Sequence, residues 1–124
     1  MTNLILLYAG AALTAMWGIG HLFPAKAVVK GFGDISVDNR RIITMEWIVE
    51  AVALIFIGLL VAAVTFIDPS SIVSKAVVML SVLCLIALAV VSLFTGFRVN
   101  FLPYKLCPII FTLSAILIFS GIML

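Results

Sequence analysis

The chain has 124 residues, 66% of them hydrophobic and 10% charged, with a net charge of +2. An ordinary soluble domain is about 45–50% apolar and about 25% charged, so a soluble fold of this length would lack the polar surface to cover itself. Most of the surface is expected to face lipid, and with no basic stripe interleaved with aromatics the sequence gives no support to nucleic-acid binding.

The first apolar run, Leu4 to Phe23, follows Met1-Thr2-Asn3 with no basic segment before it. A cleavable signal peptide carries such a segment, so this run is expected to stay as a span. Gly10, Thr14 and Gly18 recur every four residues, a small-residue seam of the kind along which membrane helices approach closely. His21 lies three residues after Gly18 and four after Trp17 and extends the same face. Pro24 ends the run and suits the first turn of a short interfacial helix reaching about Lys30, broken by Gly31 and Gly33. Lys26 and Lys30 would snorkel from it toward headgroups. An irregular surface loop is the other reading of this stretch.

The second run extends from Ile42 to Ile67, with Asp38 or Asn39 as its cap. Glu46 and Glu50 are four residues apart, and the same interval leads on to Leu54, Gly58 and Ala62. That stripe predicts a packing face, with both carboxylates pointing into the bundle. From Ala51 to Ile67 the helix covers roughly 25 Å of a hydrocarbon core about 30 Å thick. Glu50 then sits just inside the core boundary and Glu46 near the headgroups, depths at which a carboxylate is tolerable.

Asp68-Pro69-Ser70-Ser71 is a polar turn. The third run, Ile72 to Phe97, has Lys75 near its start, Ser81, Cys84, Ser92, Thr95 and Gly96 on or near one side, and Arg98 just beyond it. Pro103 and Pro108 bracket the connection to the fourth run, Leu106 to Leu124. About 20 helical residues cross a bilayer, whereas barrel strands are about 10 residues long and alternate strictly, which these runs do not. The sequence therefore predicts an all-α fold, a single four-helix transmembrane bundle with spans at about 4–23, 42–67, 72–97 and 106–124. None of the four prolines is expected in mid-span. Cys84 and Cys107 fall at different depths and are expected to be buried free thiols, not a disulfide or a redox pair.

Six of the seven lysines and arginines (Lys26, Lys30, Arg40, Arg41, Arg98 and Lys105) fall in the first and third connections, and only Lys75 lies on the other side. The excess places those connections in the cytoplasm and both termini outside it.

His21, Glu46, Glu50 and Arg98 all lie toward the cytoplasmic ends of their helices. Two readings stay open. In one, a Glu50–Arg98 or Glu46–Arg41 ion pair fixes helix register. In the other, the four groups line a polar pocket open to the cytoplasm, with Trp17, Trp47 and Tyr104 as walls, suited to a small apolar or lipid-like ligand. Trp47 and Tyr104 equally suit interfacial anchoring. A metal centre is not expected: one histidine and two carboxylates could hold a hard or borderline ion, but the Glu-x-x-His pairs of di-iron bundles are missing. No catalytic residue and no cofactor can be assigned.

The stretch Ile43 to Gly58, with Glu50-Ala-Val-Ala-Leu-Ile-Phe-Ile-Gly58, resembles the DoxX-like family of small four-helix membrane proteins. Trp17-Gly-Ile-Gly-His21 followed by Pro24 is similar to that family's first span and the loop after it. The resemblance covers the first half of the chain. It implies a bundle in a bacterial or archaeal inner membrane and, from some members, a link to quinone-dependent complexes or stress responses. Three functions are compatible with these readings. The first is a ligand-binding or accessory subunit of a membrane complex, as a homo-oligomer or beside a partner subunit. The second is a small oligomeric proton-coupled transporter. The third is a quinone-linked oxidoreductase subunit with His21 and Glu50 as a proton relay.

Overall fold

A computed structural model describes residues 2–124. The chain is an all-α four-helix transmembrane bundle with one additional short helix. Four helices are long and apolar enough to cross a membrane: α1 (Leu4–Leu22), α3 (Val37–Ile67), α4 (Ile72–Phe94) and α5 (Leu102–Met123). The short α2 (Ala25–Lys30) follows α1, and a 3-10 turn, Gly96–Arg98, follows α4.

Local chemistry sets most of the boundaries. The Asn3 side chain accepts the Leu6 backbone N–H at the start of α1, as an N-cap does. Pro24 stands before α2, and Gly31 closes it. Gly33, at φ +73, supplies the left-handed turn that only a residue without a Cβ adopts freely. Ser36, not Asp38 or Asn39, caps α3 by accepting the Asn39 backbone N–H, so that helix begins five residues before the apolar run does. At 31 residues it is ~46 Å long and overshoots the hydrocarbon core, leaving its polar first turns outside. Ser71 caps α4 through the Ser74 N–H.

The last span departs from expectation. It begins at Leu102, so Pro103 occupies the first turn and Pro108 lies inside the helix instead of ahead of it. Proline has no N–H to donate within a helix, yet membrane spans accommodate it because neighbouring groups take up the freed carbonyl. Pro108 is buried against the bundle.

The helices are ordered α3–α1–α5–α4 across the bundle. Helix α1 packs extensively on α3 and α5, and α5 packs on α4. Glycines allow the close approaches. A Cβ on Gly58 would lie 2.5 Å from the Ala11 carbonyl oxygen and one on Gly18 2.8 Å from that of Ala51. On the other flank, a Cβ on Gly10 would lie 3.1 Å from the Ser114 carbonyl oxygen. The predicted seam on α1 is therefore present: Gly10, Thr14, Gly18 and His21 are all buried. Helices α3 and α4, although joined by a short turn, share few contacts. One of these is the hydrogen bond from Ser74 Oγ to the Val64 carbonyl beside that turn. The core is filled by Leu7, Leu54, Val61, Leu85, Phe111 and Ile118.

Candidate functional site

The buried face of α3 runs Trp47, Ala51, Leu54, Gly58, Val61, Thr65. It includes Leu54 and Gly58 from the predicted stripe, but Glu46 is exposed and Glu50 stands at the flank, its side chain 37% exposed. Only Glu50 of the two carboxylates turns toward α1.

His21 is the centre of the arrangement. It lies in the last turn of α1 and is 6% exposed. Its Nδ1 is 2.8 Å from the Trp17 carbonyl oxygen. A carbonyl only accepts, so Nδ1 carries the proton and donates. That leaves Nε2 facing Glu50 Oε1 at 3.7 Å and Cys107 Sγ at 4.0 Å. A carboxylate opposite an unprotonated ring nitrogen is two acceptors face to face. The pair is complementary when a proton sits between them, as imidazolium against carboxylate.

Aromatic rings fix the imidazole in place. Trp17 meets it edge-on at 5.5 Å between centroids, and Trp47 lies tilted over it at 5.2 Å. The Trp47 indole N–H donates to the His21 backbone carbonyl, one of the carbonyls that the end of α1 leaves without an intrahelical partner. Tyr104, from the first turn of α5, packs edge-on to Trp47, and Phe101 packs on Tyr104. The Trp17 indole N–H is buried with no hydrogen-bond partner among the described residues. Its side chain and the Cys107 thiol border the same small cavity beneath His21.

Two openings meet at Glu50. One is a cavity of about 260 Å³ between the ends of α1, α3, α4 and α5, bordered by His21, Glu50, Ser92, Thr95, Tyr104 and Cys107. The other is a groove of about 440 Å³ along the α3–α4 gap, where Glu46 joins Glu50, Trp47 and Tyr104. Ligand sites in proteins are commonly about 300–1,000 Å³. The hydroxyls of Ser92 and Thr95 back-bond to the Leu88 and Val91 carbonyls, so α4 lines the cavity without offering a charge.

The remaining expectations need correction. Arg98 is exposed and makes no ion pair among the described residues, because α4 ends at Phe94 and the 3-10 turn carries the arginine away from Glu50. A Glu46–Arg41 pair is also not formed: Arg41 lies 3.9 Å from Asp38, both at the surface. Cys84 is exposed and only Cys107 is buried. No group of three or more His, Cys, Asp or Glu is arranged to hold a metal among the described residues.

Sequence reasoning missed Cys107 as a neighbour of the histidine. The two are 86 residues apart, and no local spacing links them. Comparison with protein-family models, curated proteins and solved structures gives no match to this chain.

Proposed function

We propose that the protein is a multi-pass inner-membrane protein that binds a small amphipathic ligand between α3 and α4, as a ligand-binding or accessory subunit. One observation carries this reading: the groove along α3, which α4 borders through Leu88, and the His21 cavity share Glu50, Leu88 and Tyr104 as walls. An apolar body would lie along the groove, and a hydrogen-bonding head would meet the imidazole and the carboxylate. Long apolar walls ending in a few converging polar groups are what such ligands require. The cation-rich connections lie at this end of the bundle, which supports a site in the cytoplasmic leaflet with both termini on the opposite side. The likeness of the first half to DoxX-like proteins belongs to the same proposal.

The reading is tested by native mass spectrometry of the protein released from lipid nanodiscs. Wild type should retain a small amphiphile, and Ala53→Trp, which fills the groove, should lose it. A bare wild-type protein, or equal retention by the variant, overturns the reading. A retained quinone would tie the pocket to a redox subunit.

A second reading, an oligomeric proton-coupled transporter, is favoured by the His21–Glu50 contact, which has a place for one exchangeable proton. The pair's position toward one end of its helices speaks against it, since transporter sites tend toward the midplane. Proton-driven flux in liposomes that disappears in Glu50→Gln would support this reading. Its absence in wild type would remove it.

A further inference from the structure

The α3–α4 groove has an unusual charge balance for this chain. Lysines and arginines outnumber acids by seven to five overall, yet none of them borders the groove. Its charged side chains are Glu46 and Glu50 alone. Glu46 has no salt-bridge partner among the described residues. The groove therefore stays negative even when His21 is protonated and engages Glu50.

Its aromatic content is equally one-sided. Phe32, Trp47 and Tyr104 border it, and apart from the two glutamates the rest of the lining is aliphatic. Aromatic faces carry negative potential and attract cations, most strongly where water is excluded. An anionic or strongly acidic head would meet two carboxylates with no donor of opposite charge. A neutral ligand would leave the two carboxylates that border the groove without a counter-charge in it.

We propose that the occupant of this groove is a lipophilic organic cation, an apolar body bearing an ammonium-type charge, held between Glu46 and Glu50 with Trp47 and Tyr104 against it. This rests on the ligand-binding reading above and narrows its ligand class. When the cation meets Glu50 it approaches the carboxylate oxygen that His21 Nε2 faces at 3.7 Å. The groups facing that carboxylate are His21 from α1, Glu46 on its own helix, Tyr104 and Cys107 from α5, and only hydroxyls from α4.

The test uses two probes of the same size and shape and opposite charge, tetraphenylphosphonium and tetraphenylborate. Binding is followed by calorimetry in an uncharged maltoside detergent against a micelle blank. Wild type should bind the phosphonium saturably and the borate not at all. Glu46→Gln/Glu50→Gln should weaken phosphonium binding at least about tenfold, since both counter-charges are removed. Equal or tighter binding of the borate, or an unchanged double variant, overturns the proposal. Should the double variant fail to fold, the contrast between the two probes on wild type decides alone. Dodecanol, a neutral amphiphile, separates this proposal from the reading beneath it. If dodecanol binds in wild type, is blocked by Ala53→Trp, and the phosphonium does not bind, the groove is a ligand site but not a cation site. If neither probe binds, both fail.

Discussion

Helix α3 forms one seam with α1 and another with α4, and the two differ in the size of the side chains brought together. Toward α1 it presents Ala51 and Gly58 to Ala11, Ala15 and Gly18, and the backbones approach until a single added methyl would collide. Its flank away from that seam carries Glu46, Glu50 and Ala53 along a groove that α4 reaches only through Leu88, and α4 has no glycine anywhere along its length. In lipid there is little hydrophobic drive between helices, so close packing decides which seams shut. The glycine seam is shut, and the glutamate seam is open, as the proposed ligand site requires. Substitutions in the two should therefore separate stability from ligand binding.

The largest stability loss is expected from Gly58→Ala. The new methyl meets the Ala11 carbonyl at 2.5 Å and the Ala15 Cβ at 2.7 Å, and backbone cannot yield as a side-chain tip can. Overpacking of this kind costs about 1–3 kcal/mol, and a value near the top of that range is expected in thermal unfolding in detergent. Gly20→Ala is the matched control, because nothing lies within 4 Å of its added Cβ. Alanine is the better helix former by about 1 kcal/mol, so this change should leave stability equal or raised. Similar losses at both positions would mean that close approach at Gly58 does not hold the bundle.

Trp47→Phe comes next. An aromatic ring stays, though a smaller one at a buried position, and the N–H that satisfies the His21 carbonyl is lost. Leaving a buried acceptor unpaired costs about 1–3 kcal/mol, and the lower end is expected here because the carbonyl belongs to a helix terminus. The same change loosens the residue that holds the imidazole from above, so ligand retention should fall alongside stability. Unfolding midpoints and native mass spectra from one preparation check both.

These expectations also mark what the sequence could and could not reveal. The four spans were legible because bilayer thickness imposes length and apolarity on each. The α1 face was legible because its glycines and threonine have no reason to recur except packing. The α3 face was misjudged by geometry. Four residues advance a helix by about 400°, so a strict interval of four drifts by about 40° each time. From Glu46 to Gly58 the drift reaches about 120°, and the two cannot share a narrow face. The buried stripe mixes intervals of four and three, from Trp47 through Ala51, Leu54 and Gly58 to Thr65. Arg98 was misplaced because the apolar run continues to Phe97 past the stop signal of Thr95-Gly96, where α4 ends and a 3-10 turn redirects the chain. The open seam was invisible for a deeper reason: a short turn guarantees that two helix ends are near, not that their flanks pack.

Glu50→Gln should cost little stability. Its side chain is 37% exposed and its partner distance is 3.7 Å, and partly exposed ion pairs contribute about 0–1 kcal/mol. Glutamine also keeps a hydrogen-bonding oxygen. An unfolding loss above that range, with no change in any bound ligand, would recast the His21–Glu50 contact as a structural tie between α1 and α3.

Ala53→Trp should change stability least, within about 0.5 kcal/mol, because position 53 is exposed and borders the groove without entering the core. Its indole would lie where an apolar ligand body would lie. The variant therefore isolates the open seam: the glycine contacts of α3 with α1 are untouched, and His21, Trp47 and Glu50 keep their partners. Unfolding midpoints matching wild type together with lost ligand retention would show that the gap is used as a site. A marked rise in midpoint would show instead that the gap is a packing defect that one ring can fill, since filling a true void is stabilising whereas occupying a ligand site is not.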